Sequence, residues 1–330
     1  MLTPFFLTAI GGVDDVTRMT DHPYQLSIVV PVYNESDMIE AFHRKVTEVM
    51  TAMALAYEIV FVDDGSSDDT VAKIEALAQQ DAHISGVKFS RNFGKDMALL
   101  AGLSHARGEY MLMIDGDLQH PPDLIPDLWR HAQTADIVYT VRTEDRGVGL
   151  FKKYSSKLFY RLFSYLADAT LEQGTTDFKI ISRKVRDAIT SMDERDLFLR
   201  GMFSWIGFTS TRVEFMPIAR PQGGSKYNLR RLLNLSISGI TSFSTVPIRL
   251  SLLLCAFSLC VAFLYSVYAL YSKYILLQAV SGWTSLLILM SLFCSGIYIM
   301  LGIIGEYIAK IHIETKKRPR FIIDRVIKHD

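Results

Sequence analysis

The sequence predicts an α/β protein: a mainly parallel sheet with helices on both faces, followed by a two-helix transmembrane hairpin. Three observations carry this expectation. Short β-branched runs alternate with helical-period segments between residues 26 and 114. Polar clusters rich in carboxylates follow those runs, where open α/β sheets bind ligands. Two long uncharged stretches lie in the last hundred residues. The 330-residue chain is 49% hydrophobic but 21% charged, with a mean hydropathy of +0.20, so the apolar excess is local. Thirty-five basic and thirty-five acidic residues cancel, which argues against nucleic acid as a partner. Cys255, Cys260 and Cys294 all fall in apolar stretches without metal-ligand spacing, so neither a disulfide framework nor a zinc site is expected.

Residues 1–24 have a short apolar start and no basic n-region, and are expected to form a loose leader rather than a signal peptide. Leu26–Val32 reads as a buried strand. Glu35–Met53 has helical spacing, with Met38, Ile39, Phe42, Val46, Val49 and Met50 on one side. Strand Glu58–Val62, helix Asp69–Gln80, strand Ser85–Ser90, helix Asp96–Ala106 and strand Tyr110–Ile114 follow in turn. Asp136–Val141 is the next apolar strand. Leu197–Phe208, with Arg200 and Trp205, is expected to pack the core or the membrane face.

Leu250–Ser272 gives 23 residues without charge, and Tyr274–Gly305 gives 32 more. A bilayer core needs about 20 apolar helical residues, so spans are expected near Val246–Tyr271 and Ser285–Ile308. Gln278, Ser281, Gly282 and Trp283 mark the loop between them. The competing reading is a helical hairpin buried in a soluble core. Basic residues cluster outside the hairpin loop: Lys226, Arg230, Arg231 and Arg249 before it, and seven against three acids in 310–330. The positive-inside rule then puts both termini and the globular part in the cytoplasm. The expected organisation is leader 1–24, catalytic domain 25–227, interfacial helix 228–245, spans within 246–308, and basic tail 309–330.

Asp115-Gly116-Asp117 places two carboxylates two residues apart after a strand, with Gly116 easing the turn. Such a pair suits a hard cation, magnesium or manganese, that also binds phosphate oxygens. Asp63-Asp64-Gly65-Ser66-Ser67-Asp68-Asp69-Thr70 lacks the ligand spacing of a calcium loop. It reads better as a strand-end turn, with Asp68 or Asp69 capping the next helix and Asp64 left for a ligand. Ser90-Arg91-Asn92-Phe93-Gly94-Lys95 brings basic and amide groups to a third strand end, where a phosphate-bearing ligand could be held. The chain has no GxxxxGK[ST] loop and no GxGxxG after the first strand, which disfavours ATPase and dinucleotide-oxidoreductase readings.

Ser27-Ile-Val-Val-Pro-Val-Tyr-Asn-Glu35, Val62-Asp-Asp-Gly-Ser66, Ser90-Arg-Asn-Phe-Gly-Lys95 and Asp115-Gly-Asp-Leu-Gln-His-Pro-Pro122 resemble the inverting family-2 glycosyltransferases with the Rossmann-like GT-A fold. Within them, the chain resembles the polyprenyl-phosphate enzymes, including dolichol-phosphate mannose synthases and, most closely through its two-span end, the bactoprenol glucosyltransferases. The resemblance covers roughly residues 25–310. It implies transfer of a sugar from a nucleotide-sugar to polyprenyl phosphate at the bacterial inner membrane. Pro31, Tyr33 and Glu35 would line the nucleoside pocket, Val62 and Asp64 would meet the base, and Lys95 and Gly116 would border the donor. Asp115 and Asp117, with Gln119 as third ligand, would hold Mg2+ or Mn2+ on the diphosphate. Arg142, Lys152, Lys153 and Arg220 would face the acceptor phosphate, and Arg220 and Lys226 belong to a loop closing over the phosphates. Thr175–Lys179 departs from the Ser-Gly-Phe-Arg of mannose synthases, which weakens mannose as the sugar. The closer resemblance to the bacterial enzymes implies UDP-glucose and undecaprenyl phosphate, with galactose, amino-arabinose and GDP-mannose donors left open. Asp177 has two readings, a contact to a sugar hydroxyl or a brace for a strand.

Arg146–Ala167 carries five basic residues and no acid, interleaved with aromatics, which suits an interfacial helix on an anionic membrane. An ordinary amphipathic helix packed on the sheet is the alternative. Asn228–Thr245 reads as a second interfacial helix. Phe321–Ile327 is a β-like run that could add to another sheet, including a neighbouring subunit's, so a homo-oligomer is an expectation. A processive polysaccharide synthase would need more spans and a Gln-x-x-Arg-Trp motif, which the chain lacks. A non-catalytic membrane-tethered scaffold is disfavoured by the intact carboxylate and basic residues. A transporter is disfavoured by the absence of charge within the spans.

Overall fold

The computed structural model describes residues 23–142, 175–195, 198–215, 246–275 and 282–329. The strands are β1 (Leu26–Val32), β2 (Tyr57–Asp63), β3 (Ile84–Phe89), β4 (Tyr110–Met113), β5 (Ile137–Arg142), β6 (Thr175–Ser182), β7 (Ser210–Phe215) and β8 (Ile323–Ile327). They form one sheet in the order β7-β5-β6-β4-β1-β2-β3-β8. β4, β1, β2 and β3 run parallel, as do β5 and β7, whereas β6 and β8 are antiparallel to their neighbours. The helices are α1 (Ser36–Met53), α2 (Thr70–Gln80), α3 (Lys95–His105), α4 (Ile125–Ala132), α5 (Arg183–Ser191), α6 (Leu199–Trp205), α7 (Val246–Tyr274) and α8 (Trp283–Thr315). This is the mainly parallel sheet with helices on both faces that the sequence predicts.

The central strands are buried on both faces, which is why they read as continuous apolar runs rather than alternating ones. Ile28 and Val30 of β1 and Ile59 and Phe61 of β2 join Ile39, Phe42 and Val46 of α1, Ile74 of α2 and Leu128 of α4 in one core layer. Val60 and Val62 point the other way and pack with Ala98 and Ala101 of α3, while Val29 meets Leu99, Leu100 and Leu103. The apolar spacing of α1 therefore marks the face it buries. Its end is set by Ala54, whose φ of 51° turns the chain out of the helix while its N–H bonds Thr51 O. Asp68, not Asp69, organises the start of α2, accepting from the backbone N–H and hydroxyl of Thr70 at 3.1 and 2.6 Å.

The tail expected as a separate basic segment re-enters the catalytic sheet. β8 pairs with β3 in register Val87↔Val326 and Lys88↔Arg325, and Phe321 stacks on Phe89 with ring centroids 5.0 Å apart. Ion pairs Lys88–Asp324 (3.1 Å) and Arg325–Glu75 (2.8 Å) fix it further. The terminal strand thus completes its own sheet, covering an edge that would otherwise present unpaired backbone groups.

Two helices are long and apolar enough to cross a membrane, with candidate spans Cys255–Tyr274 and Leu289–Thr315 at mean hydropathies of 1.6 and 1.7. A helical hairpin buried in a soluble core does not fit, because Phe257, Phe263, Tyr298 and Leu301 each leave more than half their surface exposed. Trp283, expected in the connecting loop, is the first residue of α8, and the helix continues past Ile308 to Thr315. The interfacial helices expected at 146–167 and 228–245 lie outside the described residues.

Candidate active site

The carboxyl ends of β1, β2 and β4 open onto a cavity of about 230 Å³. Pro31, Tyr33, Glu35, Asp64, Lys95, Asp115, Gly116 and Asp117 line it, joined by Val32 and Ala98. Crossover connections bring these distant residues together because every parallel strand ends at the same edge. One glycine is required locally: Gly65 has φ of 74°, and a Cβ there would stand 2.4 Å from the Arg91 backbone. Gly116 packs closely on β1, where a Cβ would meet the Val32 side chain at 3.0 Å.

Asp115 lies two residues beyond the end of β4, and the chain then turns through Leu118, whose φ of 55° is a left-handed conformation that costs roughly 1 kcal/mol in a non-glycine residue. That turn folds Gln119 back on Asp117: its backbone N–H and its Nε2 donate to the carboxylate at 3.1 and 2.5 Å. It also carries His120 inward. The imidazole is 2% exposed, set between the rings of Phe178 and Phe215. Its Nδ1 has no hydrogen-bond partner among the described residues and lies 3.6 Å from Asp115 Oδ2. Burial holds the ring's pKa below its ordinary value, against the raising influence of Asp115. Asp115, Asp117 and His120 each offer a ligand atom, all within 4.8 Å of one another. Two carboxylate oxygens and an otherwise unpartnered buried imidazole nitrogen fit a divalent cation of the magnesium or manganese type. His120 was not singled out as a ligand from sequence, although it stands three residues beyond Asp117. Gln119, the expected third ligand, is placed as a hydrogen-bond partner of Asp117.

Lys95, at the start of α3, bridges two carboxylates, with Nζ 2.6 Å from Asp115 and 2.8 Å from Asp177. Burial disfavours its charge, but the two aspartates outweigh that and raise its pKa. Asp177 stands behind Lys95 rather than on the cavity wall. Arg200 grips it in a fork, Nε to Oδ1 at 2.7 Å and Nη2 to Oδ2 at 2.9 Å. Burial opposes ionisation of Asp177, yet the hydrogen bonds from Arg200 and the charge of Lys95 hold its carboxyl well below the usual range. Asp177 is thus tied to Arg200 and Lys95 at once. Leu199, Met202 and Phe203 of α6 pack the core as expected, but Arg200 does not: it turns to Asp177.

Arg142 ends β5 with Nη2 3.5 Å from His120 Nε2, beside the acidic cluster. One expectation at the nucleoside end needs correction: the side chain of Val62 is fully buried under α3 and cannot face a base. Asp64 lines the cavity, and its carboxylate also accepts from the N–H groups of Phe93 at 2.6 Å and Gly94 at 2.9 Å. Burial raises its pKa against those bonds. Lys152, Lys153, Arg220 and Lys226 lie outside the described residues.

The Glycosyl transferase family 2 profile matches residues 27–189, which hold all of the described cluster apart from Arg200 and Phe215. A prophage bactoprenol glucosyl transferase homolog of Escherichia coli (strain K12) is 40% identical over 306 residues, 92% of this chain and 100% of its own length. The chain belongs to glycosyl transferase family 2. An SfII prophage-derived bactoprenol glucosyl transferase of Shigella flexneri is 39% identical over 91% of this chain and 98% of its own. Among solved structures, glucosyl-3-phosphoglycerate synthase from Mycobacterium tuberculosis, in complex with Mn2+, UDP and phosphoglyceric acid, is 22% identical, with a TM-score of 0.45 over 66% of this chain and 76% of that one.

Proposed function

We propose that this glycosyltransferase moves glucose from UDP-glucose to undecaprenyl phosphate, with inversion, at the cytoplasmic face of a bacterial inner membrane. The observation that carries the reading is the cavity at the strand ends, where Asp115, Asp117 and His120 converge and Lys95 stands on the wall. The relatives named bactoprenol glucosyl transferase, aligned along nearly the whole chain, supply the acceptor and the sugar. The exposed apolar flanks of α7 and α8 support two membrane spans. The basic residues on either side of them support a cytoplasmic catalytic domain.

In this reading, Pro31, Tyr33 and Glu35 receive the nucleoside, and Asp115, Asp117 and His120 hold Mg2+ or Mn2+. The ion would neutralise charge gathering on the departing diphosphate. Lys95 adds a fixed cation at the same wall. The acceptor is a phosphomonoester with a second pKa of about 6, so it is mainly dianionic at neutral pH. Its oxygen attacks the anomeric carbon as the bond from that carbon to the nucleoside diphosphate breaks, and no proton must be removed. Asp177 suits this chemistry, because a carboxylate held so firmly ionised by Arg200 and Lys95 is a poor proton acceptor. Arg142, together with Lys152, Lys153, Arg220 and Lys226, would pair the acceptor phosphate and the diphosphate and so relieve their mutual repulsion.

The test uses purified full-length protein in detergent with undecaprenyl phosphate and Mg2+ or Mn2+. Labelled UDP-glucose, UDP-galactose and GDP-mannose are offered separately, with and without EDTA, and label is counted in the organic phase. EDTA-sensitive lipid labelling from UDP-glucose is expected. Labelling from another donor would overturn the sugar, and none from any donor, with nucleotide still bound, would favour a binding scaffold.

A further inference from the structure

Arg200 is not among the described residues lining the cavity, yet it heads a line of alternating charge that ends there. The line runs from Arg200 to Asp177, to Lys95 and to Asp115, with successive contacts of 2.7, 2.8 and 2.6 Å. Its outer end is fixed by the way α6 lies on β6. Arg200 and Phe203 are three residues apart and share one helical face. Asp177 and Lys179 are two residues apart and share one face of the strand. Arg200 covers Asp177, while the Lys179 ammonium sits 4.2 Å over the Phe203 ring. Asp96, beside Lys95, accepts from the backbone of Leu199 at the start of the same helix. Helix and strand are therefore registered by consecutive contacts, and Lys95 links them to Asp115.

A purely structural ion pair is the alternative. Such a pair adds little net stability once desolvation is counted. It also gives no reason for Asp177 to be shared with a lysine on the cavity wall. A forked guanidinium fixes both oxygens of a carboxylate, which a single ammonium cannot do.

We propose that Arg200 is a positioning residue of the transferase: it orients Asp177, which holds Lys95 against the donor diphosphate when Asp115 is engaged by the metal. The proposal rests on the function above. Removal of Arg200 leaves Asp177 charged but free to turn, and Lys95 follows it away from the diphosphate.

The experiment is a double-mutant cycle on the full-length protein, using Lys95→Ala, Arg200→Ala, Arg200→Lys and the Lys95→Ala/Arg200→Ala double variant. Transfer kinetics, UDP affinity in the presence of Mn2+ and thermal unfolding are measured for each. Lys95→Ala and Arg200→Ala should each lower kcat by about 10²-fold, the range for loss of one preorganised donor at a developing charge. KM for the lipid should stay within about threefold. The double variant should lose no more than Lys95→Ala alone, because both act through one ammonium. Arg200→Lys should recover part of kcat. Additive losses, or an Arg200→Ala enzyme with wild-type kcat per folded molecule, would overturn the proposal. Should Arg200→Ala not fold, Arg200→Lys and Arg200→Gln take its place in the cycle. If the wild type transfers nothing, the function has failed, and the same cycle read on UDP affinity still decides the role of Arg200: non-additive losses support it and additive ones sink it.

Discussion

At the amino-terminal edge of the sheet, Glu58 of β2 is 1% exposed and fully occupied. Its Oε1 accepts from the Ser27 hydroxyl and the Arg107 N–H, both at 2.6 Å, and its Oε2 accepts from Arg107 Nε and Nη2 at 3.0 and 2.8 Å. At the carboxyl edge of the same sheet, Asp115 and Asp117 share a turn with a left-handed Leu118 and a buried imidazole whose Nδ1 has no partner among the described residues. One edge carries a saturated buried charge, and the other carries a carboxylate pair, one member held by Lys95 and the other by Gln119, beside an imidazole nitrogen without a partner among the described residues. The contrast separates charge used to hold a fold from charge kept for a ligand. Saturation is the mark of the first, while strain and an orphaned polar atom are the marks of the second.

The sharpest break of this comparison comes from removing charge at the carboxyl edge. Asp115→Asn and Asp117→Asn should each lower transfer by about 10³-fold, consistent with losing a ligand to a charge-stabilising ion. Their thermal midpoints should hold or rise, because two clustered anions no longer repel. EDTA should reproduce the loss of activity in the wild type. Folded variants that keep more than a tenth of the activity would remove the metal cluster from the mechanism.

The reverse behaviour is expected at the other edge. Glu58→Ala strands the Ser27 hydroxyl and the Arg107 backbone N–H and should destabilise the domain by about 3–5 kcal/mol. Transfer per folded molecule should stay within about twofold. Urea denaturation of the solubilised protein, with activity normalised to the folded fraction, checks both halves. A large loss of specific activity with little loss of stability would erase the distinction between the edges.

A smaller effect belongs to β8, which closes the β3 edge of the sheet. Phe321→Ala removes the ring stacked on Phe89 and should cost about 2 kcal/mol. It should leave the affinity for UDP unchanged, as measured by calorimetry.

The same contrast explains what was legible in the sequence. The order of strands and helices from Leu26 to Met113 could be read because each central strand is an apolar run and each helix keeps its spacing. Asp115, Asp117 and Lys95 could be read because strand-end position is itself a signal. The Asp177–Arg200 fork could not, since it arises from pairing across distant sequence: it links residues 23 apart through a helix whose pattern speaks only of packing. The seat of β8 was likewise hidden, because an isolated apolar run does not say whose edge it will join. His120 was hidden by its surroundings, as nothing local tells that Phe178 and Phe215 will enclose it.

The finest test concerns Lys179, a buried charge at neither edge. Burial pushes its ammonium down to about 8, while the charge of Asp177 acts in the opposite direction. The unfolded chain returns the group to its ordinary value of 10.5. Between these values the unfolded state binds more protons than the folded one, so this residue makes stability rise with pH across that window. Below pH 8 it is protonated in both states, and the folded protein bears the full desolvation penalty. Lys179→Met keeps the length and the contact with Phe203 but removes the charge. The variant should therefore be more stable than wild type at pH 7, by roughly 1 kcal/mol. Its advantage should shrink as the pH is raised towards 10, where wild-type Lys179 is largely neutral in the folded state. Other titrating groups are common to both proteins, so the difference between their melting curves isolates this one. An advantage that stays constant from pH 7 to 10 would mean that Lys179 keeps its proton throughout, held by Asp177 as a third cation of the site rather than tolerated as a buried passenger of β6.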